Sequence, residues 1–138
     1  MTYFRPRKFK YGETRTQALV GGKTRNLNSK LEAAVLQILQ LQERSGIITD
    51  IKTQVRVTFT NSAGKHKACI PDFRVTNCAT SEVYFVEAKG FVNERWEWIR
   101  WVWADYGPGR LVVYGGDWKR PMITETIEPV KRERGKAS

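Results

Sequence analysis

The stretch PDFRVTNCATSEVYFVEAK, residues 71–89, sets two strand-length apolar runs around a turn and leaves charged side chains inside both. In the first strand, taken as Lys65 to Val75, Ala68, Ile70, Asp72 and Arg74 share one face, and Cys69, Pro71, Phe73 and Val75 share the other. After a turn through Asn77 to Ser81, Val83, Phe85, Glu87 and Lys89 share one face of the next strand, opposite Tyr84, Val86 and Ala88. So short a connection makes the strands antiparallel neighbours, and their spacing lets Asp72 approach Glu87. Two carboxylates in one half-buried place repel, and a shared proton, a basic partner or a metal must answer that repulsion. This hairpin constrains both the fold and the chemistry.

The flanking segments supply the remaining elements. Asn28 and Ser29 precede a helical pattern from about Leu31 to Arg44, stopped at Gly46. Leu31, Ala34, Val35, Leu36, Ile38, Leu39 and Leu41 form one broad arc, and Glu32 falls inside it. Ser29-x-x-Glu32 is also a capping-box pattern, so Glu32 has two readings: a helix cap, or a carboxylate turned toward the core sheet. Ile51, Thr53, Val55, Val57 and Phe59 alternate with Lys52, Gln54, Arg56 and Thr58, which predicts one half-buried strand, followed by a turn at NSAG, 61–64. Gln54 is a candidate supporting polar residue, although an alternating strand places such a side chain in solvent equally well. Pro71 cannot donate a ladder hydrogen bond, so the strand that holds it is expected at an edge or bulged just before Asp72.

VNERWEWIRWVWADYG reads as a second helix, begun by Asn93 and ended by Gly107-Pro108. Val92, Trp96, Ile99, Val102, Trp103 and Tyr106 make the stripe that packs on the sheet. Trp98 and Trp101 lie off it, and three roles stay open for them, in this order: covering the core's flank, a homodimer contact, or stacking on exposed bases. RLVVY, 110–114, is a buried strand that the helical connection makes parallel to the one before it. Gly115-Gly116-Asp117 closes the core.

With 138 residues the chain suits one globular domain. Its net charge of +10 is uneven: residues 1–30 carry +7, residues 119–138 carry +3, and residues 31–118 sum to zero. The expected organisation is a basic N-terminal arm, 1–27, a core domain, 28–118, and a basic C-terminal tail, 119–138. Basic ends either aid solubility or neutralise a polyanion, and the second reading names Arg5, Arg7, Lys8, Lys10, Arg15, Lys23, Arg25, Lys30, Lys131, Arg132 and Arg134 as DNA contacts. The ends form no clear amphipathic helix for a membrane surface. Lacking a membrane-length apolar run and a signal-peptide core, the chain is expected to be soluble and intracellular, in the cytoplasm.

Cys69 and Cys78 form no CxxC, and His66 is the one histidine, which argues against structural zinc, a disulfide scaffold and a histidine general base. Neither a GxxxxGK[ST] loop nor a GxGxxG occurs. If Glu32 joins Asp72 and Glu87, Lys89 supplies one positive charge against three negative ones. That deficit suits a divalent cation, and all-oxygen ligands suit Mg²⁺ or Mn²⁺. The plainer alternative is a cross-strand ion network on a solvated face.

Pro71-Asp72, then Glu87-Ala88-Lys89 on the next strand, with Glu32 on the helix before them, resembles the PD-(D/E)xK, restriction-endonuclease-like nuclease superfamily. The resemblance runs over roughly residues 28–117 in the order helix, three antiparallel strands, helix, strand. Within the superfamily the chain looks most like phage Holliday-junction resolvases of the endonuclease I type. It departs from them in a longer gap between Asp72 and Glu87 and in the stretch beyond Asp117.

The resemblance implies an α/β fold, with a mixed sheet flanked by helices, and a Mg²⁺-dependent DNA endonuclease. Asp72, Glu87 and the Ala88 carbonyl would bind a first ion, Asp72 and Glu32 a second, and Lys89 would orient or help deprotonate the attacking water. It further implies branched DNA as substrate, a homodimer, and the host cytoplasm if the chain is phage-encoded. The alternatives are a partner-targeted transposon-end or flap nuclease of the same fold, or a non-catalytic DNA-binding protein.

Overall fold

The structure, a computed structural model, describes residues 7–8, 14–20, 23–27, 29–60, 63–64, 66–90 and 93–130, the first three segments as backbone only. Strands β1 (Arg7–Lys8), β2 (Thr14–Val20) and β3 (Lys23–Leu27) form an antiparallel sheet within the stretch read from sequence as an arm. Helix α1 (Lys30–Arg44) follows, then β4 (Ile48–Thr53), β5 (Val57–Thr60), β6 (His66–Cys69), β7 (Phe73–Asn77) and β8 (Val83–Ala88). Helix α2 (Glu94–Tyr106), β9 (Leu111–Gly115) and β10 (Met122–Ile127) complete the described chain. The fold is α/β, with a mixed five-stranded sheet ordered β10-β9-β8-β7-β4 and a separate β5-β6 ribbon. Only the β8-β9 pair of the large sheet is parallel, as its helical connection requires. Among the described residues no helix is long and apolar enough to cross a membrane.

Each helix covers one face of this sheet. On the α1 side Leu31, Val35, Leu36 and Leu39 pack with Ile48, Phe73, Val75, Val86, Val112 and Tyr114. On the α2 side Trp96 and Trp103 pack with Val57, Phe59, Cys69, Phe85, Leu111, Val113 and Ile127. Alternate residues of β8 and β9 feed the two clusters, which is why both strands read as continuous apolar runs. Leu41 and Tyr106, assigned by periodicity to the packed stripes, are exposed because each sits in the last turn of its helix. Val92 of the second stripe lies outside the described residues.

Both helices start as their local sequence dictates. Ser29 Oγ accepts from Glu32 N at 3.1 Å, and Asn93 Oδ1 accepts from Trp96 N at 2.8 Å. Gly46, at φ +77°, takes the left-handed conformation that ends α1. Asn93→Ala should cost about 1 kcal/mol. Urea denaturation of that variant beside Asn93→Asp, which keeps the capping oxygen, measures it.

Two predicted strands are each broken in two. The pattern at 51–59 does alternate in burial, yet β4 ends at Thr53, Gln54 turns to φ +55°, and pairing resumes only at Val57. The strand predicted over 65–75 breaks at Ile70–Asp72, where Pro71 is buried. Pro71 does not mark an edge strand, because β7 is paired on both sides, by β4 and β8. The breaks change which side of the sheet is packed: Cys69 joins the α2 cluster, whereas Phe73 and Val75 join the α1 cluster. An unbroken strand would keep all three on one face.

The C-terminal stretch read as a tail also contributes. Residues 122–127 form the edge strand β10, antiparallel to β9, and Ile127 is buried. Val130 N then donates to Ala104 O of α2 at 2.9 Å. Exposed residues dominate this strand, so its sequence lacks the apolar run that marked β9.

Candidate active site

The acids meet where the broken hairpin crosses from one side of the sheet to the other. Phe73 pairs with Val86, so one further step along the ladder sets Asp72 opposite Glu87. Side chains take over the ladder there: Asp72 N donates to Glu87 Oε1 at 3.1 Å, and Ala88 N donates to Asp72 Oδ2 at 2.8 Å. In a strand a residue's carbonyl points the same way as its N–H, so the Ala88 carbonyl also faces Asp72. Pro71 makes this possible, since a residue without an N–H cannot continue a ladder.

Glu32 reaches the cluster from the first turn of α1 and is 2% exposed. It hydrogen-bonds Asp72 side chain to side chain, and Gln54 Nε2 donates to its Oε1 at 3.5 Å. The serine half of the capping box is present, with Ser29 accepting from the Glu32 amide, while the Glu32 carboxyl is turned inward. Gln54, exposed as a residue, is not simply a solvent-facing strand residue. Its N–H donates to Asp72 O at 3.2 Å while its amide meets Glu32, so it ties the loop to both acids.

Three carboxyl groups are thus linked in a chain, Glu32 to Asp72 to Glu87. Burial pushes the Asp72 carboxyl above the usual range, against the opposing pull of its hydrogen bonds. Burial, with the Asp72 charge added to it, pushes Glu87 well above that range. Lys89 Nζ, 3.9 Å from Glu87 Oε2, sits at the outer limit of an ion pair and offsets only part of this. Burial and the mutual repulsion of these carboxyls both favour their protonated forms, and a cation would relieve both. Among the described residues no three acidic, histidine or cysteine side chains stand placed to hold a metal ion as they are. A cation bound here would compete with protons for these carboxylates.

The donor set suits such a cation. Three carboxylates and a backbone carbonyl are hard oxygen ligands of the kind Mg²⁺ or Mn²⁺ takes. Cys69, close enough to interact with Glu87, Lys89, Arg95 and Asp72, adds no charge, because burial pushes its thiol up to about 11. Cys78 is a free, exposed cysteine, and exposed His66 meets Thr60 Oγ1 through Nδ1 at 2.7 Å.

A pH dependence follows. Asp72 and Glu87 hold their protons more tightly folded than unfolded, so the stability they contribute is complete below about pH 4, the unfolded range. It is lost as pH rises through the raised folded values. In EDTA the melting temperature should fall as pH rises from 4 toward neutrality, and Mg²⁺ should restore most of the loss. Calorimetry across that range checks both, and a stability that rises with pH in EDTA would refute the buried acid cluster.

Beside Lys89 lies a cleft of about 370 Å³ lined also by Trp96, Arg100, Val113, Thr124 and Glu125. Arg100 is held by Glu125 at 2.6 Å and Glu97 at 2.9 Å, so its charge is matched within the protein. Lys89 Nζ lies 5.0 Å from the centre of the Trp96 ring, which gives that buried tryptophan a place in the site that its core spacing concealed. Of the proposed DNA contacts, Lys30 is exposed at the start of α1. Arg7, Lys8, Arg15, Lys23 and Arg25 lie on β1–β3, and Arg5, Lys10, Lys131, Arg132 and Arg134 lie outside the described residues. Comparisons of the chain with protein-family models, with curated proteins and with solved structures found no match.

Proposed function

We propose that the chain is a metal-dependent DNA endonuclease of the PD-(D/E)xK type that hydrolyses phosphodiester bonds. The observation that carries this reading is the placement of Asp72 opposite Glu87 at the break in the hairpin, with Glu32 brought in from α1 and Lys89 one residue past the strand. A solvated ion network, the plainer alternative, would leave its carboxylates in water, whereas these are buried and act on one another.

Asp72, Glu87 and the Ala88 carbonyl would hold one Mg²⁺ or Mn²⁺ ion, and Glu32 with Asp72 a second. When bound, such ions generate a nucleophile from water and stabilise the leaving oxygen. The protein's own groups do the positioning. The Ala88 amide fixes the Asp72 carboxylate, and Gln54 fixes the loop between Asp72 and Glu32. Lys89 Nζ, held between Glu87 and the Trp96 ring, can donate to an attacking water or to a phosphate oxygen. The finer reading is a structure-selective Holliday-junction resolvase, which needs two sites acting on symmetric strands and hence a homodimer.

The test is incubation of the protein with a labelled four-way junction, a matching duplex, a flap and a single strand, in Mg²⁺ or EDTA. Paired symmetric nicks on the junction, lost in EDTA, are the expected result. Cutting of every substrate would keep the nuclease and discard the resolvase, and so would a monomer by light scattering on and off DNA. Binding without cleavage of any substrate would leave a DNA-binding protein. If the basic ends grip about 6 to 10 phosphates, affinity should fall roughly 10³- to 10⁵-fold between 50 and 200 mM salt.

A further inference from the structure

Two partly exposed tryptophans, Trp98 and Trp118, stand on segments next to those that carry the acids, each with a lysine over its ring. On the α2 side Trp98 is 39% exposed, with Lys67 Nζ 4.4 Å from its ring centre. It lines a cleft of about 130 Å³ with Lys67, Ala68, Arg95 and Ile99. Chain position brings this cleft toward the site: Ala68 stands four residues before Asp72, and Arg95 directly precedes Trp96, whose ring centre is 5.0 Å from Lys89 Nζ. On the α1 side Trp118 is 45% exposed, with Lys30 Nζ at 5.2 Å and Lys119 Nζ at 5.7 Å from its ring. Gly115, three residues before Trp118, lies against the end of β8: a Cβ there would stand 3.3 Å from Lys89 O, and Lys89 N donates to Tyr114 O, so the turn that carries Trp118 leaves β9 beside Glu87 and Lys89.

We propose that Trp98 and Trp118 are stacking platforms for bases on either side of the acid cluster, so that the strand to be cut presents unpaired nucleotides there. The proposal rests on the nuclease reading and narrows its substrate to single-stranded or branched DNA. A base offers its face to a side chain only when it is unstacked, and an indole face accepts any base. The lysines supply the second half of the recognition: a cation that covers an aromatic ring in the free protein can turn to a phosphate when a base takes its place. Charge assigns the two positions. Trp98 has Lys67 and Arg95 around it and Trp118 has Lys30 and Lys119, whereas Trp101, though 73% exposed, shares its cleft with Glu97 and Glu125, which hold Arg100 between them and leave no cation free for a phosphate there. A polyanion is drawn to the first two and not to the third.

The test uses the full chain in EDTA at low salt, with binding read by fluorescence anisotropy of labelled strands. Oligo-dT is compared with an abasic strand of the same length and backbone, which keeps the phosphates and removes the bases. The dT strand is expected to bind about 10- to 100-fold more tightly. Trp98→Ala and Trp118→Ala should each lose about tenfold or more on dT and little on the abasic strand, with phenylalanine at either position restoring most of it. Trp101→Ala should bind as the unaltered protein does. Equal binding of dT and abasic strands by the unaltered protein, which needs no variant to fold, would overturn the proposal. Unchanged dT binding by both alanine variants would do the same. Base-dependent binding without cleavage of any substrate would leave the platforms standing and remove the nuclease reading. Cleavage with base-independent binding would do the reverse.

Discussion

Asp72→Asn is expected to abolish cleavage while making the metal-free protein more stable. The first effect follows from the position of Asp72, the one carboxylate bonded to both Glu32 and Glu87, so that every proposed ion depends on it. Loss of roughly 10³-fold in rate, equivalent to about 4 kcal/mol of transition-state stabilisation, is the scale to expect. The second effect follows from burial. Asparagine keeps an oxygen to accept from the Ala88 amide, and its NH₂ can donate to Glu87 or Glu32 without a charge to desolvate. A gain of about 1–3 kcal/mol is expected, or a rise in melting temperature on the order of 3–10 °C for a domain of this size. Calorimetry in EDTA near neutral pH measures it, and a Mg²⁺ titration supplies the control. Magnesium should raise the melting temperature of the unaltered protein and leave the variant's almost unmoved. A variant less stable than the parent in EDTA would mean that the aspartate is a structural partner, and the case for a catalytic acid cluster would fail.

Trp103→Ala should cost about 3–5 kcal/mol, enough to lower the melting temperature by roughly 10–20 °C. Trp103 is fully buried at the centre of the α2 cluster, edge-on to Phe59 at 5.8 Å and to Phe85 at 5.2 Å between ring centres. Its Nε1 donates to Gly109 O at 2.8 Å, so truncation opens a cavity and orphans an acceptor in the turn that leads into β9. The neighbouring Gly107 is tied to the same ring: a Cβ there would stand 2.5 Å from Trp103 Nε1. Trp101→Ala, two residues away and 73% exposed, should stay within about 0.5 kcal/mol of the parent. A matching pair of melting curves decides the contrast, and equal losses would contradict the packing of α2.

That contrast shows what helical periodicity carries. Spacing alone separated Trp96 and Trp103 from Trp98 and Trp101, because a helix facing a sheet buries one stripe whatever its partner is. It could not choose among roles for the two exposed tryptophans. Those depend on Lys67 and Arg95 near one and on Arg100 paired with Glu97 and Glu125 near the other, groups partly brought in by β6 and β10. In the same way, alternation foretold the burial of Val57, Phe59, Phe73 and Val75, but not that the first pair faces α2 and the second α1.

The sequence by itself determined the two helices and their caps, the antiparallel hairpin and the parallel return of β9. Each follows from local terms: side-chain period, capping oxygens, turn residues and connection length. It also named Glu32, Asp72, Glu87 and Lys89, since acids are conspicuous in apolar runs. Only the tertiary structure decided that the strands predicted at 51–59 and 65–75 break at Gln54 and Pro71, that β10 closes the far edge, and that Glu32 meets Asp72. These outcomes are set by packing between segments far apart in the chain. A positive φ at Gln54 or an edge strand of exposed residues has no local preference behind it, and is held only by what the rest of the fold places beside it.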